Sequence, residues 1–108
     1  MSDPDVVVVL TTLPADADVE DFGQTLVRER LAACVSVLGE VHSIYRWQGD
    51  ICTSVERQCL IKTRRDLLSA LEQRLGALHP YDVPEFLAIP VVHGASAYLH
   101  WVRESTRD

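Results

Sequence analysis

Residues 33 to 63 carry the feature that most limits how this chain can fold: two long apolar segments on either side of "SIYRWQGDI", residues 43 to 51. Tyr45, Trp47 and Ile51 surround Gln48-Gly49-Asp50, which reads as the tip of a β-hairpin. Hairpin tips normally point into water and carry polar turn residues. This one holds one of the two tryptophans of the chain. The first segment, Ala33 to Trp47, is 15 residues, about 50 Å at roughly 3.3 Å per residue. Its odd positions, Ala33, Val35, Val37, Val41, Tyr45 and Trp47, predict one apolar face, and Gly39 interrupts it as a bulge or bend would. The second segment runs from Ile51 to Thr63.

The partner available to this hairpin is short. "VVVVLTT", Val6 to Thr12, is β-branched and apolar on both faces, so it reads as a central strand. It is 7 residues, about 23 Å on the same rise. Half of the hairpin, with Val41, Ile44, Tyr45, Trp47, Ile51 and Val55, therefore has no partner in its own sheet. A two-stranded ribbon is marginal in water and its edges invite pairing. The expected cover is other copies of the same chain, with Trp47 as an interface anchor. The alternative is a hairpin that bends back over its own core.

Pro14 ends the first strand, and Asp16 or Asp18 can cap a helix in which Val19, Phe22, Leu26, Val27, Arg30 and Leu31 keep helical spacing. "TRRD", Thr63 to Asp66, resembles a capping box ahead of a helix that buries Leu67, Leu68, Leu71, Leu75 and Leu78. "EFLAIPVV" is a last strand, with Pro90 pointing to a sheet edge or bulge. Tyr98, Leu99, Trp101 and Val102 predict a short C-terminal helix. The order is a βαββαβ sandwich, an α+β ferredoxin-like plan, extended by the long β-hairpin and the C-terminal helix. Right-handed crossovers put the first and third strands in the centre and the second and fourth at the edges.

With 10 basic and 16 acidic residues the net charge is -6, which argues against nucleic acid or an anionic membrane as partner. No apolar run approaches the roughly 20 residues needed to span a bilayer. The acidic "MSDPD" start lacks the layout of a secretory signal, so a cytoplasmic protein is expected. Cys34, Cys52 and Cys59 form no C-x-x-C pair, so reduced thiols are expected, with Cys34 and Cys59 as small core residues. The 108 residues read as a single domain.

The stretches "ERLAACVSVL" (29 to 38), "SIYRWQGDI" (43 to 51), "LIKT" (60 to 63), "HPYDVPEFLAIPV" (79 to 91) and "YLHWV" (98 to 102), with "VVLTT" near the start, resemble the CutA divalent-cation-tolerance family. The resemblance spans about residues 5 to 103. It implies a ferredoxin-like subunit in a homotrimer, with long hairpins embracing neighbouring subunits. It also implies a role in divalent-cation tolerance. Copper-binding members place a cysteine in the first strand and consecutive histidines before the Pro-Tyr. Here those positions hold Thr11 and Leu78, and His79 alone remains. The resemblance thus implies weak binding of divalent copper, with His79 as the metal ligand; a tight copper site needs several N or S donors.

"HPYDVPE" gathers His79, Tyr81, Asp82 and Glu85 on a loop stiffened by Pro80 and Pro84. Such a loop suits a ligand cleft or a rigid connector. Glu56 and Lys62 lie on one face of the same strand. If subunits pack as the resemblance implies, Trp47, Glu56, Lys62, Tyr81 and Glu85 line an intersubunit pocket. There Lys62 would hold a small anion, and the glutamates would accept hydrogen bonds or meet a cation. The competing reading is an interface salt bridge of Lys62 with Glu56 or Glu85. His42, His93 and His100 read as surface or hydrogen-bonding residues. No G-x-S-x-G, Walker-type or H-E-x-x-H pattern occurs, and the expectation is a non-enzymatic protein. Two further readings stand beside cation tolerance. One is an effector sensor with clefts between subunits in the manner of PII-type trimers; the other is a scaffold for a protein partner.

Overall fold

The computed structural model describes residues 5 to 107. The described residues form an α+β fold with a four-stranded antiparallel sheet and three α-helices. In chain order these are β1 (Val6–Pro14), α1 (Val19–Arg28), β2 (Cys34–Trp47), β3 (Asp50–Arg64), α2 (Leu68–Leu78), β4 (Leu87–Pro90) and α3 (Ser96–Ser105). The strand order is β2-β3-β1-β4, with β1 and β3 central and β2 and β4 at the edges, as the crossover rule predicts.

One face of the sheet is covered. Val9, Leu13, Cys59 and Ile61 pack against Phe22 and Leu26 of α1 and Leu71 and Leu75 of α2. At Gly23 a Cβ would stand 3.3 Å from Val35 Cβ, so the missing side chain lets α1 lie close on β2. A second cluster joins Val102 and Leu99 of α3 to Val6, Ala33 and Val91. The opposite sheet face carries Val8, Leu10, Leu60, Leu87 and Ile89, none of them fully buried.

At the helix ends the structure selects one of two cap candidates and departs from the sequence reading at two places. Asp18, rather than Asp16, caps α1 by accepting from the Asp21 amide at 3.0 Å. That helix stops before Arg30, which sits at φ 62°. The Leu31 amide donates to Leu26 O at 3.0 Å and the Arg30 amide to Val27 O at 3.0 Å, the paired bonds of a Schellman termination. Arg30 and Leu31 therefore lie past the helix, and Val27 is exposed rather than on its buried face. Thr63 is not a helix cap. It is a fully buried residue of β3 whose hydroxyl donates to Leu31 O at 2.8 Å. A short 3-10 turn, Arg65–Leu67, precedes α2 without a side-chain cap.

The hairpin overhangs its sheet. The last rung between β1 and β3 is Pro14↔Glu56, whereas β2 and β3 continue from His42↔Val55 to Trp47↔Asp50. Gln48 (φ 50°) and Gly49 (φ 87°) close it as a two-residue turn with both φ positive. The arm helps to make the molecule 46 Å long against 28 and 24 Å across. Ile44 and Ile51 near its tip are 73% and 72% exposed. The arm does not fold back over its own core.

A bulge lies where Gly39 suggested it. Val37 pairs with Cys59 and Glu40 with Arg57, so β2 spends one residue more than β3. The extra residue corrects one sequence expectation. Val35 and Val37 share the helix-covered face with Ile61 and Cys59, but Val41, Tyr45 and Trp47 pair with Glu56, Cys52 and Asp50 on the opposite face. A strand with period two cannot pass an inserted residue without exchanging its faces.

Candidate functional site

Where the arm leaves the sheet, a cavity of about 720 Å³ opens between the hairpin and the loop that follows α2. Thr12, Tyr45, Trp47, Glu56, Tyr81 and Glu85 are among its lining residues. The bulge accounts for the first wall: past it, the odd residues of β2 look the same way as Glu56 on β3 and Thr12 on β1.

The loop from His79 to Glu85 forms the second wall, and hydrogen bonds fasten it. His79 is buried and ends α2 in extended backbone. Its Nε2–H donates to Thr12 O at 2.6 Å, and its Nδ1 accepts from the Tyr81 amide at 3.1 Å. A carbonyl can only accept, so these partners assign the neutral tautomer with the proton on Nε2. The imidazole and phenol rings stand 4.7 Å apart, inclined by 52°. Gln58 bridges the far end of the loop, with Nε2 donating to Thr11 O at 2.9 Å and to Glu85 Oε2 at 3.2 Å.

Glu56 is 6% exposed. Its Oε2 accepts from the Tyr81 hydroxyl at 3.0 Å, its one side-chain hydrogen bond among the described residues. Tyr81 as a whole is 37% exposed, but its hydroxyl end is set against this buried carboxylate. Burial and the bond to Glu56 push the phenol up to about 12, so it stays a neutral donor.

Of the five residues that the resemblance implied for a pocket between subunits, four, Trp47, Glu56, Tyr81 and Glu85, line this cavity of a single chain. Lys62 stands elsewhere. It shares the sheet face of Glu56 but lies six residues along β3, roughly 20 Å away on the strand rise. Its Nζ donates to Ser36 Oγ at 3.1 Å and lies 3.8 Å from Cys34 Sγ. Within the chain it pairs with neither Glu56 nor Glu85. Cys34, expected in the core, is only half-buried beside that ammonium, whereas Cys59 is fully buried. Sequence reasoning did not single out Thr12, Tyr45 or Asp82 as lining residues. Asp82 was legible as a polar member of the loop; Thr12 carried no signal apart from its strand. For metal, no group of three or more His, Cys, Asp or Glu side chains among the described residues is arranged to hold an ion.

The sequence matches the family model described as CutA1 divalent ion tolerance protein over residues 7–105. It is 44% identical over 99 residues to the divalent-cation tolerance protein CutA of Thermus thermophilus, covering 92% of this chain and 96% of that protein. The crystal structure of CutA from Xylella fastidiosa superposes with a TM-score of 0.91 at 44% identity, covering 95% of this chain and 99% of the other. CutA1 from Oryza sativa superposes with a TM-score of 0.92 at 38% identity, covering 98% and 97%.

Proposed function

The chain belongs to the CutA1 divalent ion tolerance family, and from that premise we propose that it works as a non-enzymatic homotrimer of the cytoplasm, with the arm cavity as its ligand site and weak binding of divalent copper. The observation that carries the assembly is the overhanging arm, whose residues Ile44, Ile51 and Val55 lie exposed. Burying such side chains contributes about 1.5–3 kcal/mol each, and copies of the chain supply a matching surface. The uncovered Leu87 and Ile89 of β4 and their neighbours on the open sheet face support the same reading. No helix among the described residues is long and apolar enough to cross a membrane.

Sedimentation equilibrium tests the assembly. The expected mass is three times 12.1 kDa, and Trp47→Asp or Ile51→Asp lowers it. A stable monomer at micromolar concentration would end the proposal.

Lys62 has no carboxylate partner among the described residues and stands on the open sheet face. This favours a role toward a neighbouring copy, as the intersubunit reading requires. Lys62→Met separates the two forms of that role. Loss of the trimer indicates a salt bridge between copies, and an intact trimer with ligand binding lost indicates a pocket residue.

For copper, His79 is the candidate nitrogen donor, with no group of three or more His, Cys, Asp or Glu side chains among the described residues gathered around it. Both ring nitrogens of His79 already hold hydrogen bonds, so an ion bound there must displace one, which fits weak affinity. Calorimetry with copper(II) chloride on wild type and His79→Ala is the measurement, and superimposable isotherms would remove His79 as a ligand. The cavity's groups also favour binding over turnover. The Tyr81 proton is held toward Glu56, and the His79 nitrogens are occupied. The family match along nearly the whole chain favours cation tolerance over the effector-sensor reading.

A further inference from the structure

We propose that the arm cavity binds a small organic cation, an alkylammonium or guanidinium compound with an apolar body. This rests on the reading of the cavity as the ligand site, and it names the chemical class of the occupant.

The first observation is the state of Glu56. A carboxylate largely enclosed by protein is stabilised by a counter-charge or by further hydrogen bonds. Glu56 is 6% exposed and has one neutral donor, Tyr81, on one of its two oxygens. Neither Lys nor Arg lines the cavity with it. The second observation is Thr12. It is 7% exposed and lines the same cavity, and its hydroxyl has no hydrogen-bond partner among the described residues. Two mostly buried polar side chains on adjacent strands thus line one space with oxygens that hold no protein hydrogen bond and stay open to it. An N–H-rich cation satisfies both.

The rest of the wall selects an organic cation over a bare ion. Tyr45, Trp47 and Tyr81 supply aromatic surface, and Asp82 and Glu85 add carboxylates to the lining. Aromatic faces attract ammonium and guanidinium groups and cover the apolar body that carries them. A divalent ion instead needs several oxygens converging at about 2.0–2.6 Å. The acidic side chains here are not grouped closely enough to hold an ion. Spread along the cavity, they suit an elongated or diffuse charge. The volume, about 720 Å³, falls in the range of small-molecule pockets, roughly 300–1,000 Å³.

The test is calorimetry on the full chain with 1,4-diaminobutane, phenethylamine and arginine methyl ester as probes. Butanol and phenylpropionate serve as neutral and anionic controls, and copper(II) chloride is titrated separately. The expected result is saturable binding of at least one cationic probe and none of either control, with affinity reduced at least tenfold in Glu56→Gln. Thr12→Val gives a second readout, a smaller reduction, and replaces Glu56→Gln should that variant fail to fold. Copper binding without any amine binding overturns the organic-cation proposal and leaves the cavity standing as a ligand site. Silence toward every probe, as when a basic side chain of another copy already fills the space, overturns both. Amine binding unchanged by Glu56→Gln and Thr12→Val places the amine elsewhere and also overturns the proposal.

Discussion

The Tyr81 hydroxyl donates to Glu56 Oε2 across 3.0 Å, tying the loop after α2 to the strand where the arm leaves the sheet. Tyr81→Phe leaves the Glu56 carboxylate without its donor. The expected loss is about 1–3 kcal/mol of stability, read from urea unfolding. The same substitution has a signature at high pH. The folded chain holds the Tyr81 proton up to about pH 12, and the unfolded chain releases it near the ordinary tyrosine value of about 10. The contribution is therefore complete below about pH 10 and is lost as pH rises from there toward 12. Wild type should lose stability across that window more steeply than Tyr81→Phe, and parallel profiles would refute the coupling.

His79 joins Thr12 O to the Tyr81 amide through its two ring nitrogens. His79→Ala removes both bonds at a buried position, with an expected loss of about 2–3 kcal/mol at roughly 1 kcal/mol or more per bond. Hydrogen exchange adds a local readout. The Tyr81 amide should exchange much faster in the variant, while Leu75 in α2 keeps its wild-type protection. Equal exchange at Tyr81 in both proteins would show that the ring does not hold the loop.

Arg30 occupies the left-handed region at φ 62° to end α1. A non-glycine residue there costs roughly 1 kcal/mol, and glycine does not. Arg30→Gly should raise the unfolding free energy by about 0.5–1 kcal/mol, with the loss of an exposed charge of little consequence. A destabilised variant would mean that the Arg30 side chain makes up for its backbone.

Thr63 is buried in β3 and donates to Leu31 O, just past the Schellman turn. Thr63→Val keeps the shape and strand preference but leaves that carbonyl unpaired, for an expected cost of about 1–2 kcal/mol. If Thr63 acted as a helix cap, the change would instead loosen the start of α2. Hydrogen exchange at the first turn of α2 and near Leu31 separates the two.

Much of the fold was legible because it is written in short-range pattern. The alternation and length of β2 and β3, the turn at Gln48-Gly49 and the doubly apolar β1 predict the strand order and the overhang. Gly39 marked the bulge. The failures are of a different kind. Arg30 keeps helical spacing yet sits past the helix end, since a Schellman turn depends on backbone bonds that spacing does not report. Thr63 has the look of a cap, but β3 runs on to Arg64 and claims it.

The sequence by itself determined the elements, their order and an arm too long for its sheet, because strand length and periodicity are properties of neighbouring residues. The grouping of Trp47, Glu56, Tyr81 and Glu85 with Lys62 came from the family resemblance, as a pocket between subunits, and not from local pattern. Only the tertiary structure decided that Thr12 joins them, that Lys62 turns instead to Ser36 and Cys34, and that Tyr45 and Trp47 look toward Glu56 rather than toward the helices. These depend on one inserted residue in β2 and on contacts such as His79 to Thr12, 67 residues apart. Such contacts are fixed by how finished elements pack, which no local pattern encodes.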